Sequence, residues 1–131
     1  MSFSHPIEVR FRDLDAMGHV NNAVVVSYME QARVYWWHRL LGERPFLEEG
    51  FLIARVEVDY RLPILLTDKV WVELACTKIG TSSFELHYLL TKGKGGDVFA
   101  EGKTVQVMLD FTSQRPKPIS PAIRAWMEAE D

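Results

Sequence analysis

The sequence contains a single cysteine, Cys76. It cannot close an internal disulfide, and it sits in a strand-like run, so the expected setting is a reducing, cytoplasmic one. There is no CxxC pair and no HExxH helix, so no metal site and no cofactor are expected. Positive charge is not in excess: the formal charge is −3 with a pI near 5.8, which gives no electrostatic case for nucleic acid as a partner. No apolar run is long enough to span a bilayer. The opening MSFSHPIEVRF lacks a basic segment followed by an apolar one, so neither a membrane span nor a secretion leader is expected. A G-x-S-x-G elbow is missing too, which removes the usual nucleophilic-serine arrangement. There are no internal repeats and no low-complexity segments.

What remains is 131 residues at 47% hydrophobic composition, a natural length for one domain spanning 1–131. The organising stretch is Phe11 to Arg39, where two aspartates, a glycine turn and an Asn-Asn pair precede a long apolar-faced helix. Asn is a favoured N-cap, so the helix is expected to begin at Asn21 or Asn22 and to run to about Leu41, stopped by Gly42. Val25, Tyr28, Met29, Ala32, Tyr35, Trp36, Arg39 and Leu40 would form its stripe. Before it, Pro6 to Arg12 alternates as a half-buried strand with Ile7, Val9 and Phe11 on one side. After a loop from Gly42 to Gly50, broken by Pro45, the period changes to two. Val56, Val58, Tyr60 and Leu62 form a dry face, and Pro63 marks a bend or an exposed edge. A strand over 69–79 places Val70, Val72, Leu74 and Cys76 together, and the next places Phe84, Leu86, Tyr88 and Leu90 together. Residues 92–97 form a flexible hairpin. The last long strand, Val98 to Phe111, changes parity, with Val105, Val107, Leu109 and Phe111 on one face and the small Ala100 and Gly102 on the other. Gly102 permits a bulge or the close approach of a helix. An irregular segment, 113–121, leads to a short tail helix opened by Pro121. One strand, one long helix and four further strands joined by short hairpin loops give an α+β fold, with an antiparallel sheet curved around a central helix.

This order, together with Val9-Arg10-Phe11-Arg12-Asp13-Leu14-Asp15, Gly18-His19-Val20-Asn21-Asn22 and Tyr28-Met29-Glu30-Gln31-Ala32-Arg33, resembles the 4-hydroxybenzoyl-CoA thioesterase family of hotdog-fold proteins. The resemblance implies hydrolysis of an acyl-CoA thioester, with Asp15 as the catalytic carboxylate and the Asn22 N–H directed at the thioester carbonyl. It also implies a homodimer with joined sheets, often paired again as a homotetramer. Val25 stands where family members often carry an aromatic side chain near the acyl pocket, which implies room for medium or long aliphatic acyl groups.

The chemistry fits those residue types. A carboxylate can act as general base or form a mixed anhydride, and the sequence does not separate the two routes. The free N–H groups and positive end of a helix can hold a developing oxyanion. His19 either polarises Asp15 or substrate, or caps the helix. Asp13 reads as a turn former, Tyr28 as core, and Glu30 with Arg33 as an i,i+3 pair at the helix surface or a subunit contact. Ser82 and Ser83 are candidates for lining a pantetheine channel, and Lys92, Lys94, Arg115 and Lys117 for meeting CoA phosphates. Two other functions fit the same fold: hydrolysis of acyl-carrier-protein esters, and acyl binding without hydrolysis. A bare binder, however, has no need of a carboxylate beside an apolar channel.

Overall fold

The structure, a computed structural model, describes residues 3–42 and 49–129. In chain order the elements are β1 (Phe3–Ile7), a single 3-10 turn (Phe11–Asp13), α1 (Asn22–Leu41), β2 (Gly50–Tyr60), β3 (Val70–Ile79), β4 (Ser83–Lys92), β5 (Val98–Asp110), β6 (Arg115–Pro116) and α2 (Pro121–Ala129). The strands form one antiparallel sheet in the order β1-β3-β4-β5-β2, with the two-residue β6 on the end of β5. This is the expected α+β hotdog arrangement, a curved sheet against one long helix.

The first strand lies earlier than its alternation suggested. Ile7 and Val9 are buried, but Phe11 is 79% exposed, because the chain turns before it can continue a ladder. The Asp13 carboxylate causes the turn by accepting the Arg10 backbone N–H at 3.0 Å. A second difference concerns connection. β3, β4 and β5 follow one another as hairpins, but β2 does not pair with β3; it lies at the opposite edge, against β5. Residues 61–69 carry the chain back across the end of the sheet. Pro63 has no N–H to offer a ladder, and the Arg61 and Leu62 N–H groups bond the Phe99 carbonyl instead, at 2.8 and 3.0 Å. Of the expected loop from Gly42 to Gly50, residues 43–48 lie outside the described residues.

β3 and β4 bury the alternation read from the sequence: Val70, Val72, Leu74 and Cys76 on one, Phe84, Leu86, Tyr88 and Leu90 on the other. α1 covers them with Val25, Tyr28, Met29, Ala32, Arg33, Trp36, Trp37 and Leu41. Tyr35 and Arg39 leave the expected stripe, since its later turns drift around the helix with the 3.6-residue period. Tyr35 stacks on His5 at 4.3 Å, and the Arg39 guanidinium lies 5.2 Å over the Phe3 ring, both on the β1 flank. Arg33, expected to pair with Glu30 at the helix surface or a subunit contact, does lie 3.9 Å from it, but its own side chain is buried.

On β5 the face that meets α1 is the small and polar one: Ala100, Gly102, Thr104, Gln106 and Met108. Gly102 allows the helix to approach, as a Cβ there would sit 2.6 Å from Met29 Cε and 3.2 Å from the Glu57 carbonyl oxygen. The polar groups are tied in a chain. The Arg33 guanidinium donates to Tyr88 Oη (3.1 Å), which shares a bond with Thr104 Oγ1 (2.6 Å); Thr104 bonds Gln106, whose amide donates to the Phe84 carbonyl (3.0 Å). α2 closes the far end. Ser120 Oγ accepts the Ile123 N–H at 3.3 Å, Ile123 and Met127 are buried, and Trp126 packs on Trp36.

Candidate active site

Between the 3-10 turn and α1 the chain makes a tight loop, closed by the bridge of Leu14 with Val20. The Asp15 N–H donates to the His19 carbonyl (2.7 Å), and the Gly18 N–H to the Asp15 carbonyl (3.0 Å). Gly18 takes φ 83°, a left-handed value that a side chain would strain. Asp15 organises this loop with one oxygen only: Oδ1 accepts the N–H groups of Met17 (2.9 Å) and His19 (3.3 Å). Oδ2 has no hydrogen-bond partner among the described residues.

α1 starts immediately afterwards, and its first turn is almost fully satisfied. Asn21 is the N-cap, accepting the Ala23 N–H on its side chain at 2.8 Å. The Val24 and Val25 N–H groups bond the Asn21 carbonyl at 2.9 and 3.3 Å. The Asn22 N–H is the one left over, with no acceptor among the described residues, at the positive end of the helix dipole. Since Asn21 caps, His19 does not; its ring instead lines a pocket.

That pocket, of about 200 Å³, brings together Asp15, His19, Asn22 and Val25. Its opposite wall is Tyr60 to Ile64, and Phe99 and Ala100 form its base. The wall is pinned to the helix start. The Val20 N–H donates to the Ile64 carbonyl (2.9 Å), and Tyr60 Oη donates to the Asn22 carbonyl (2.7 Å). Arg61 pairs with Glu101 at 2.9 Å. These wall residues carried no sequence signal as site residues. Pro63 announced a bend, but only the displacement of β2 to the far edge brings that bend opposite Asn22.

Asp13, two residues before Asp15, faces inward and is 2% exposed. It accepts from Tyr28 Oη at 2.6 Å and from the Arg10 guanidinium at 3.1 Å. Burial opposes its ionised form, but the bonds from Tyr28 and Arg10 outweigh it and hold the carboxyl below its ordinary value. Burial, with the bond to Asp13, pushes the Tyr28 hydroxyl well above its ordinary value. Asp13 is therefore the structural aspartate expected, bonding the turn, and Tyr28 is core.

Ser82 and Ser83 do not reach the pocket within the chain. β4 begins at Ser83, opposite Val107 on β5, whereas the pocket lies at the Phe99 and Ala100 end of that strand. Of the lysines considered for phosphate, Lys92 pairs with Asp68 (3.7 Å), Lys94 sits 5.3 Å over the Trp71 ring, and Lys117 pairs with Glu49 (3.6 Å). Arg115 is exposed in β6. Among the described residues, no helix is long and apolar enough to cross a membrane.

A family model described as the thioesterase-like superfamily matches residues 9–127. A 1,4-dihydroxy-2-naphthoyl-CoA hydrolase from Nostoc punctiforme is 30% identical, over 98% of this chain and 88% of that protein. The long-chain acyl-CoA thioesterase FadM of Escherichia coli is 26% identical, over 93% of this chain and 94% of that protein. Among solved structures, a thioesterase from Thermus thermophilus complexed with coenzyme A and Zn is 41% identical, with a TM-score of 0.88, covering 98% of this chain and 93% of that one.

Proposed function

The chain belongs to the thioesterase-like superfamily, and on that premise we infer that it hydrolyses an acyl-CoA thioester to the free acid and CoA at the Asp15–Asn22 pocket. The observation that carries the residue assignment is the meeting, in one pocket, of a carboxylate oxygen and a helix-terminal N–H that both lack partners among the described residues. With the thioester carbonyl oxygen on the Asn22 N–H, the carbonyl carbon faces Asp15. Asp15 then either deprotonates an attacking water or attacks as the nucleophile, and the charge that develops on the carbonyl oxygen falls on the helix end. The tetrahedral species collapses with loss of the CoA thiolate, which gives the free acid directly on the water route; on the nucleophile route it leaves a mixed anhydride on Asp15, which water then cleaves to the free acid and the regenerated carboxylate. His19 borders the same space and orients Asp15 or substrate; Val25 borders the acyl group. The narrower likeness to 4-hydroxybenzoyl-CoA thioesterases supports the carboxylate role, and the relatives' names span aromatic and long-chain acyl groups.

The active unit in this reading is a homodimer or a homotetramer. β2 is an edge strand, and Val56 and Tyr60 on its inner face are 43% and 46% exposed, an arrangement that a second copy would cover. Ser82 and Ser83 enter the site in this reading only through such a copy. The buried Cys76 suits a reducing cytoplasm.

The test is thiol release from a panel of CoA esters (acetyl, medium and long aliphatic, benzoyl and phenylacetyl), with Asp15→Asn as the blank. Medium and long aliphatic esters are expected to be cleaved faster than acetyl-CoA, as each buried methylene contributes about 0.8 kcal/mol. Release from carrier-protein esters alone would transfer the activity to that substrate. Tight binding without release from either would leave an acyl-binding module.

A further inference from the structure

The base of the Asp15 pocket is a layer of residues from three elements: Val25 of α1, Ala100 of β5, and Tyr60 of β2, which pairs with Ala100. The next layer inward repeats the construction. Met29 is one turn after Val25 on the same helix stripe, Gly102 is the next inward-facing residue of β5, and Val58 pairs with Gly102. Gly102 has no side chain, and Met29 fills the room this leaves. Its Cε and Sδ lie 2.6 and 3.1 Å from where a Cβ on Gly102 would be. Met29 is fully buried. A long helical side chain leans back toward the N-terminus of its helix, so Met29 leans toward the Val25 layer. The thioether therefore stands between the pocket and the interior beyond it, and any group entering deeper than Ala100 meets it first.

Two properties make this contact more than filling. Methionine is unbranched, with three rotatable bonds, and gives way more readily than Leu or Ile. On the sheet side its neighbour is bare backbone, so moving or shortening Met29 extends the pocket directly, with no second side chain in the way. The volume also sets a limit. A cavity of about 150 Å³ takes up a benzene molecule, so a pocket of about 200 Å³ holds a thioester group and roughly six acyl carbons.

Resting on the thioesterase reading of the Asp15 pocket, we propose that Met29, seated on Gly102, is the stop that sets the length of acyl chain the site takes whole. Chains of about six to eight carbons fill the space in front of the thioether, each methylene adding to binding as it leaves water. Longer chains either displace Met29 or leave their ends in solvent, and gain nothing from the added carbons.

The experiment measures kcat/KM by thiol release for straight-chain CoA esters from acetyl to hexadecanoyl, in two-carbon steps. Circular dichroism and urea unfolding check that each variant is folded. The parent profile should peak at about six to eight carbons and stand about tenfold or more lower at hexadecanoyl, the cost of displacing a packed side chain. Met29→Ala removes the three side-chain atoms beyond Cβ, so its peak should move out by about two to four carbons. Met108→Ala is the control. Met108 is as buried as Met29, but it pairs with Phe51 at the far end of β5, outside the pocket lining, and its peak should stay with the parent's. A parent profile that rises or stays level from octanoyl to hexadecanoyl overturns the proposal whatever the variants do, which keeps the test decisive if Met29→Ala does not fold. An unmoved peak in folded Met29→Ala also overturns it. So does an equal shift in Met108→Ala, because a loosened core rather than a stop would then set chain length. Any of these profiles leaves the thioesterase reading standing. No release from any CoA ester brings down that reading, and this proposal with it.

Discussion

Asp13 and Asp15 are separated by one residue and have opposite surroundings. Asp13 points inward, accepts from Tyr28 and Arg10, and has its charge fully balanced. Asp15 points outward, spends one oxygen on its own loop and keeps the other for the pocket. In the proposed mechanism the same side chain type is a brace at one position and a reagent at the other. The difference lies in what the backbone does between them: the 3-10 turn ends at Asp13, and the chain bends at Leu14 into the glycine loop. A carboxylate saturated with donors is poorly suited to take a proton, whereas one with a free oxygen is available for it.

Exchanging each aspartate for asparagine tests that division directly. In this reading Asp15→Asn should lower steady-state turnover by roughly a hundredfold or more while leaving the unfolding midpoint and substrate binding nearly unchanged. Turnover within a factor of about three of the parent would remove Asp15 from the chemistry. Next in size is the helix end. Asn22→Pro deletes the N–H at the first helical position, unpaired among the described residues, where proline is tolerated. The preceding Asn21 already holds ψ 138°, the extended value that proline requires of its neighbour. Loss of an oxyanion donor costs about 3–4 kcal/mol of transition-state stabilisation, so turnover should collapse with ligand affinity retained. Normal turnover in a folded Asn22→Pro protein would leave the comparison with only one functional partner.

Asp13→Asn should do the reverse of Asp15→Asn, costing about 1–3 kcal/mol of stability in urea unfolding at pH 7 with kcat barely altered. Its pH dependence follows from the lowered carboxyl value. The unfolded state binds the proton more readily, so the contribution of Asp13 is present above its ordinary value of 3.8 and is lost as pH falls through the lower folded value. The stability gap between parent and variant should therefore shrink on acidification. The smallest effect separates the two asparagines. Asn21→Ala removes the side-chain cap and should cost about 1 kcal/mol, while Asn22→Ala, whose function lies in the backbone, should cost only a few tenths.

Much of this was legible before the fold was known. The helix start, the burial of β3 and β4 and the use of Gly102 all follow from period and residue type, which are local properties. The failures have a common cause in non-local placement. Nothing in Val56-Glu57-Val58 says that its neighbour is β5 rather than β3, so its dry face was expected in the core and stands at an open edge. Phe11 looked like the next inward residue of a strand until the Asp13 side chain captured the Arg10 N–H. Arg33 looked like half of a surface pair, because an i,i+3 spacing does not tell which of the two side chains turns toward the sheet. The wall from Tyr60 to Ile64 was silent for the same reason.

The Tyr60 hydroxyl, bonded to the Asn22 carbonyl at 2.7 Å, makes the last residue of the edge strand a strut for the first turn of the helix. Any force that moves the rim of the sheet is transmitted through one phenol to the residue whose amide, in the proposed mechanism, meets the reacting carbonyl. A second copy seated on that rim would therefore bear on the amide as well as on the edge strand, so in the proposed homodimer assembly and turnover should respond together to changes at Tyr60.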